Sequence, residues 1–442
     1  MMTRNVARRS VQRKAERAPT IIGWSPVISR IAILFLCSAW VAPAHADDWP
    51  GFRGPTGQGH SAEQGIPLEW SESHNVVWKT PVEGLGWSSP VVADNRLWLT
   101  AAVTDDSAGE SSLRVRAFDV ETGQTLVDTE VFAIDAARAP NPKNSLASPT
   151  PVVAGDRVYV HFGTYGTAAL TTSGEIVWST RFAYDSQHGN GGSPILYEDL
   201  LILSVDGYDT AYVVALDVST GEIRWKTSRP APISQAYSTP LLIQVGDRDE
   251  VVSIGAFRTS AFDPDTGEEI WRVGYPDGFS NVPAPAYSRE HGLVFIATGF
   301  QQPSVLAVRV DGAGDVTPTH VAWRLGRGAP HTPSPLVVGD ELYIVSDTGI
   351  ATCVDVSTGE RRWRERLLGN YSASPLFVDG RIYFQSEEGL TTVIEPGTTF
   401  RELARNELDG RTLASLAVSD GSVFIRTDTH LYRIAEASGA GN

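Results

Sequence analysis

A nine-residue stretch, DVSTGEIRW at residues 217–225, returns as DVSTGERRW at residues 355–363 with one change. The two copies begin 138 residues apart, which is three times 46, and further copies fill the interval and its flanks. DVETGQTLV begins at Asp119, TTSGEIVW at Thr171 and DPDTGEEIW at Asp263. EPGTTFREL at Glu395 is a degraded copy, and residues 309–323 hold a copy stretched by an insertion. A second motif keeps step with the first: a small residue, usually a proline, then two mostly apolar residues. It begins at Ser89, Thr150, Ser193, Thr239, Ala284, Ser334, Ser374 and Ser415, at intervals of 40 to 61 residues. Self-similarity at this period belongs to solenoids and propellers, whose units bury apolar faces only against their neighbours.

Each unit converts into strands. Residues 334–363 contain three short apolar runs, separated by Gly339-Asp340 and Asp347-Thr348-Gly349, and then a D-x-x-T-G turn leads into a fourth strand at Trp363. Runs this short, rich in β-branched residues and bounded by turn residues, predict a four-stranded antiparallel sheet with no helix. In the D-x-x-T-G turn the Asp can accept backbone N–H bonds and the Gly can take a positive φ, so that motif reads as structural. The last unit stops after three strands, whereas HNVVWKTPV at residues 74–82 is a strand without preceding partners. The N-terminal strand is therefore expected to complete the last sheet and remove its free edge. Fourth strands at Trp78, Val127, Trp178, Trp225, Trp271, Trp323, Trp363 and Leu403 count eight. The expected fold is all-β, an eight-bladed propeller over residues 68–435. A Gly/Pro-rich arm at 47–67 precedes it and a disordered tail at 436–442 follows.

ALDVSTGEIRW at residues 215–225 resembles the tryptophan-docking motif of the pyrroloquinoline quinone-type propellers, and AFDPDTGEEIW and CVDVSTGERRW repeat it from Ala261 and Cys353. The opening DDWPGFRGPTGQG resembles the start of secreted planctomycete propellers of this kind. The resemblance implies that Trp78, Trp178, Trp225, Trp271, Trp323 and Trp363 lock neighbouring blades together. Trp70 lies outside that register and is expected to matter less. The family includes both quinone-dependent dehydrogenases and non-catalytic scaffolds such as the propeller lipoprotein of the barrel-assembly machinery, so fold does not select between them.

Residues 1–46 read as a secretory signal peptide: a lead with seven basic residues, an apolar run at 31–41, and Ala44-His45-Ala46 before a cleavage site near Asp47. The run is short of the roughly 20 residues that span a bilayer. Leu36 before Cys37 argues against lipid attachment, and Arg8-Arg9 lies too far from the apolar run for a twin-arginine signal. A periplasmic or secreted protein is expected, as a monomer. Removing 1–46 takes away seven basic and one acidic residue, moving the net charge from −16 to −22. That charge repels phosphate backbones, so nucleic acid is excluded as a partner.

Cys353 would then be the one remaining thiol, at the position other units give to Ala215 and Ala261, where it reads as a small packing residue. Quinone enzymes of the resembled family stack their cofactor on a disulfide between adjacent cysteines, and no such pair exists here. No H-E-x-x-H, C-x-x-C or G-x-S-x-G is present, and His60, His74, His161, His291, His320 and His430 are scattered. No metal site is expected.

The segments just before each innermost strand should converge on one channel mouth. They supply Trp87, Asn144, His188, Asn190, Gln235, Tyr237, Asn281, Arg327, His331, Tyr371 and Arg411. Convergent polar groups around a concavity make a candidate binding site. This set contains no Asp or Glu, which weighs against a catalytic base and calcium. The sequence therefore reads as an exported, non-catalytic binding or assembly scaffold for an exported or outer-membrane protein, or for a small ligand. Two alternatives stand beside it. One is an oxidoreductase using pyrroloquinoline quinone with calcium; the other is a carbohydrate-binding module stacking sugars on Trp87, Tyr237 and Tyr371.

Overall fold

The computed structural model describes residues 48–105, 107, 109–135 and 141–436. The expected signal peptide, its cleavage site and the tail from residue 437 lie outside the described residues. Eight sheets, each with four antiparallel strands ordered from the inside outward, form the eight blades of a ring, and the sheet of blade 4 carries a fifth, short parallel strand at its outer edge. Blade 1 starts at Val91–Ala93, blade 2 at Val152–Ala154, blade 3 at Ile195–Tyr197 and blade 4 at Leu241–Val245. Blades 5 to 8 start at Ala286–Ser288, Leu336–Val338, Leu376–Val378 and Ala417–Ser419. All eight residues expected on fourth strands lie on the fourth strands of their blades, and in blade 4 the short fifth strand follows beyond Trp271. The one helical element among the described residues is a 3-10 turn at Gly163–Tyr165.

The N-terminal strand Val76–Pro81 pairs antiparallel with His430–Ala435 as the outer strand of blade 8. Tryptophan then ties this strand to blade 1: the Trp78 indole N–H donates to Val120 O at 2.9 Å. Trp178, Trp225, Trp323 and Trp363 reach the next blade in the same way, donating to Val218 O, Pro264 O, Val356 O and Gly397 O at 2.8–2.9 Å. The turn glycine is fixed twice over. Gly221 has φ +74°, and a Cβ there would lie 2.5 Å from the Trp178 ring, a contact that real side chains do not make. In the same turn Asp217 Oδ1 accepts the backbone N–H groups of Ser219 and Thr220 at 2.9 and 3.1 Å.

Trp271 departs from this pattern. It is fully buried, but its N–H donates to the Glu250 carboxylate of its own blade at 2.8 Å. The stretched copy explains why: where other blades offer a D-x-x-T-G turn, the insertion places Gly314–Asp315 as a short parallel strand against Trp271 and Arg272. Trp70 also departs from expectation. It is 3 % exposed and stacks on Tyr383 with ring centroids 6.1 Å apart, so it belongs to the core. Being outside the repeat register says nothing about burial, because the segment before the first strand packs on blade 7, where Trp70 N–H donates to Asn406 Oδ1 at 2.9 Å.

Cys353 sits opposite Trp363 in register, as Ala215 does opposite Trp225 and Ala261 opposite Trp271. It is buried, and burial pushes its thiol up to about 12, so it stays a neutral packing group.

Candidate functional site

The small residue that opens each unit closes the channel wall. Its side-chain hydroxyl accepts the backbone N–H of its counterpart in the preceding blade: Ser89 to Thr150 Oγ1, Thr150 to Ser193 Oγ and Ser193 to Thr239 Oγ1, each at 2.9 Å. The chain resumes from Ala284 to Ser334 Oγ and runs through Ser374 and Ser415 back to Ser89, at 2.9–3.2 Å. Seven of the eight links are made; Ala284 offers no hydroxyl to Thr239. The sequence motif is thus an inter-blade stitch, and proline after it sets the chain into the inner strand.

The arm shuts one end of the channel. Trp49 exchanges two backbone bonds with Val92, Pro50 O accepts from Val153, and Gly59 O accepts from Phe377, with Val92, Val153 and Phe377 each the middle residue of a three-residue inner strand. Gln58 and Glu63 extend these contacts to Tyr287 in blade 5 and to Asp420 and Gly421 in blade 8. Phe52 lies on the floor of the channel, lining with the hydroxyl ring a waist cavity of about 100 Å³.

At the open end the waist widens into a vestibule of about 470 Å³. Of the eleven expected residues, Asn144, His188, Gln235, Tyr237 and His331 line it, and Trp87 and Asn144 line the waist. Arg411 lies at the rim, with its guanidinium 5.7 Å from the Trp87 ring centre and 3.7 Å from Glu387. The other four are placed otherwise. Asn281 is fully buried, donating to Gly255 O at 2.8 Å and accepting from Gly299 N–H. Tyr371 is fully buried and donates to Leu368 O at 2.9 Å, so it offers no stacking face to a sugar. Arg327 is exposed and lines neither cavity. Asn190 faces a small cleft of about 30 Å³ beside Tyr165.

One wall of the vestibule is aromatic: Tyr208, Phe279 and Phe300, with Phe279 and Phe300 edge-to-face at 5.7 Å. Phe300 and Tyr208 are 53 % and 44 % exposed, an unusual pair for surface loops. A relay stiffens this wall: Tyr237 Oη donates to Gln235 Oε1 at 2.5 Å, Gln235 Nε2 to Tyr208 Oη at 2.8 Å, and Tyr208 Oη to Gln187 Oε1 at 2.6 Å. The facing wall is polar, with Asn141, Lys143, His331, Thr332 and Asp347.

The expectation that the mouth lacks carboxylates is overturned. Asp347 lines the vestibule and Glu387 sits beside it, bonded to Lys143 at 2.8 Å. Both lie on the turn between the second and third strands, which faces the mouth. Alignment of S-D-T-G at residues 346–349 with S-E-E-G at 386–389 would have found them. Neither is free for a ligand: Asp347 accepts from His331 N–H, Thr332 N–H and Thr332 Oγ1, and Glu387 accepts from Ser372 Oγ. Among the described residues, no three His, Cys, Asp or Glu side chains come together as a metal would need.

A family model described as outer membrane protein assembly factor BamB matches residues 111–309 and 255–399. The chain belongs to that family of quinone-type propellers. The crystal structure of BamB from Moraxella catarrhalis overlays with a TM-score of 0.58 at 13 % identity, covering 83 % of this chain and 99 % of that one. The quinohemoprotein alcohol dehydrogenase of Comamonas testosteroni shares the same fold, with a TM-score of 0.50 at 11 % identity over 90 % of this chain and 82 % of that one. A quinoprotein ethanol dehydrogenase of Pseudomonas aeruginosa is 24 % identical over 363 residues, 73 % of this chain and 48 % of the relative. The chain thus spans about half the length of that curated relative. Among the described residues no helix is long and apolar enough to cross a membrane.

Proposed function

We propose that this propeller is an exported binding scaffold with no chemistry of its own, whose vestibule takes an apolar side chain of a partner polypeptide. The observation that carries this reading is the pairing of the exposed Phe300–Phe279–Tyr208 wall with a wall of amides, Lys143 and His331, around one concavity of about 470 Å³. Apolar anchors beside a few fixed polar groups are what side-chain recognition uses, and the volume falls within the roughly 300–1,000 Å³ of ligand sites. The BamB match supports an assembly or binding role, and an exported location agrees with it.

A calcium-held quinone fits these residues poorly. The waist, at about 100 Å³, is below the usual size of a cofactor site. The vestibule has a single lining carboxylate, Asp347, whose oxygens are already engaged. Cys353 is solitary and buried.

Panning a peptide library against the purified chain tests the reading. Enrichment of peptides sharing an aromatic or aliphatic anchor, lost on the Phe300→Ser, Tyr208→Ser double variant, is expected. Peptides that bind both proteins equally, or no enrichment, would remove the vestibule as the binding site. A saturable melting-temperature rise with pyrroloquinoline quinone plus calcium would instead favour the oxidoreductase.

A further inference from the structure

The waist is lined by a ring of Ser and Thr hydroxyls and by the Trp87 indole, alongside Phe52, Val282 and Leu413. Each of the seven ring oxygens already accepts a backbone N–H from the preceding blade. A hydroxyl also carries one proton to donate, and for none of the seven does a described residue act as acceptor. All seven side chains belong to residues at most 7 % exposed, and all seven line the same cavity. Trp87 lines it too, and its indole N–H is buried with no acceptor. An indole can only donate.

Charge has the same sign. No Asp or Glu lines the waist; Lys143 at its edge is paired with Glu387 at 2.8 Å, so the cation left without a carboxylate is Arg53. Near the ring, though not lining the cavity, lies Arg53, 2 % exposed, whose Nη2 donates to Pro335 O at 2.7 Å and to Gln58 O at 2.8 Å. Pro335 follows the ring residue Ser334. The Nε and Nη1 groups of Arg53 are buried without partners, and no carboxylate is paired with it. Burial pushes this guanidinium down to about 9, the direction a cation takes when nothing offsets its desolvation. In a protein of net charge −16, a cavity lined by spare donors near an arginine that has no carboxylate partner among the described residues runs against the overall charge.

We infer that the waist is a binding site for a small anion, of halide size, held by the Ser/Thr hydroxyl ring and the Trp87 indole above Phe52. A buried donor without an acceptor costs free energy; an anion within the cavity would accept from such donors and offset Arg53. The cavity of about 100 Å³ admits a halide with a little water and excludes bulky organic anions. The arm closes the lower end, so exchange runs through the vestibule. This site is separate from the peptide reading of the vestibule.

Bromide is the probe. In crystals of the chain grown with sodium bromide, an anomalous peak is expected inside the hydroxyl ring. In solution at constant ionic strength, with sodium gluconate as the balancing salt, the melting temperature should rise saturably with bromide. Ala284→Ser supplies the eighth hydroxyl without enlarging the site and should shift the bromide midpoint to lower concentration. Arg53→Gln should shift it upward, and Phe300→Ser in the vestibule should leave it unchanged, so the two readings fail independently. Water alone within the ring, or a bromide response identical in the parent chain and Ala284→Ser, overturns the anion site.

Discussion

The backbone N–H of Ser415 donates to Oγ of Ser89 at 3.2 Å across 326 residues of sequence, joining the last inner strand to the first. The same closure is made at the rim, where Trp78 bonds Val120 O, so the ring is fastened at both its inner and outer radius. Removing residues 47–82 deletes the outer fastening, the arm and the fourth strand of blade 8 together. The expected product is insoluble, or melts far below the chain that begins at residue 47. A truncation that melts with the parent would show that closure contributes little.

The hydroxyl stitch makes a graded prediction. Ser374→Ala leaves the buried N–H of Ser334 without its acceptor and should destabilise by about 1–3 kcal/mol. Ala284→Ser gives Thr239 N–H the hydroxyl it lacks and should stabilise by about 0.5–1.5 kcal/mol. Chemical denaturation measures both; effects of the same sign would separate the motif from stability.

Most of this architecture is legible in the sequence because a propeller is a local code repeated. The turn Asp, the turn Gly and the docking Trp each answer a contact within one unit or with the next, so every outer strand from Trp78 to Leu403 could be placed by register. The site is legible only in part. His188, Tyr237 and His331 are found because the segment before each inner strand must face the mouth. That rule fixes the position of a backbone, not whether its side chain turns toward the channel or, like Asn281 and Tyr371, back into the blade. Tyr208, Phe300 and Asp347 reach the vestibule from the turns between second and third strands, whereas Lys143 and Phe279 lie in the segments before inner strands, beside the residues chosen there. The path of the arm carries no repeat at all, so Phe52 and Arg53 under the channel could not be foreseen.

The docking tryptophans should not be equivalent. Trp225→Ala and Trp363→Ala each remove a buried indole wedged on the neighbouring blade and should cost roughly 3–5 kcal/mol. Phenylalanine keeps most of the packing and isolates the hydrogen bond. Trp225→Phe loses a neutral bond to Pro264 O, a loss of about 0.5–1.5 kcal/mol, whereas Trp271→Phe loses a bond to the Glu250 carboxylate, about 1.5–3 kcal/mol. Equal losses at the two positions would contradict the different role assigned to Trp271. Trp70→Ala belongs with the large effects, since that ring is buried against Tyr383.

Acid should weaken the fold through His161. Its ring is buried in blade 2, with Nδ1 bonded to Thr167 Oγ1, and burial pushes it down from 6.5 to about 4. The folded chain therefore prefers the neutral imidazole. Its contribution is complete above pH 6.5 and is lost as the pH falls toward 4, at up to about 1.4 kcal/mol per pH unit. Asp217, held down at about 2 by Ser219, acts in a lower window, between 3.8 and 2. His161→Gln should flatten the stability profile between pH 6.5 and 4 and leave the lower limb in place; a difference profile without slope in that interval would reject the assignment.

Replacing His188, Tyr237, His331 and Arg411 together with alanine would mix two effects, because these residues are held in different ways. Tyr237 is 8 % exposed and, with Gln235, anchors the relay to Tyr208, so Tyr237→Ala should lower stability as well as binding. Arg411 bonds Pro142 O at 3.4 Å and lies over Trp87, so its loss loosens the loop that carries Lys143. Phe300 is different: it projects from a hairpin into solvent, where side chains usually contribute within about 0.5 kcal/mol, whereas Tyr208 Oη accepts from the buried Gln235 Nε2. Phe300→Ser should therefore keep the parent melting temperature, and the Phe300→Ser, Tyr208→Ser variant should lose affinity for vestibule-binding peptides at a stability cost no larger than about 1–3 kcal/mol. Calorimetric titration with one such peptide, at matched salt, gives both quantities on the same samples. If the double variant loses stability and retains affinity, the aromatic wall is a packing feature of blades 3 to 5 and not a recognition surface.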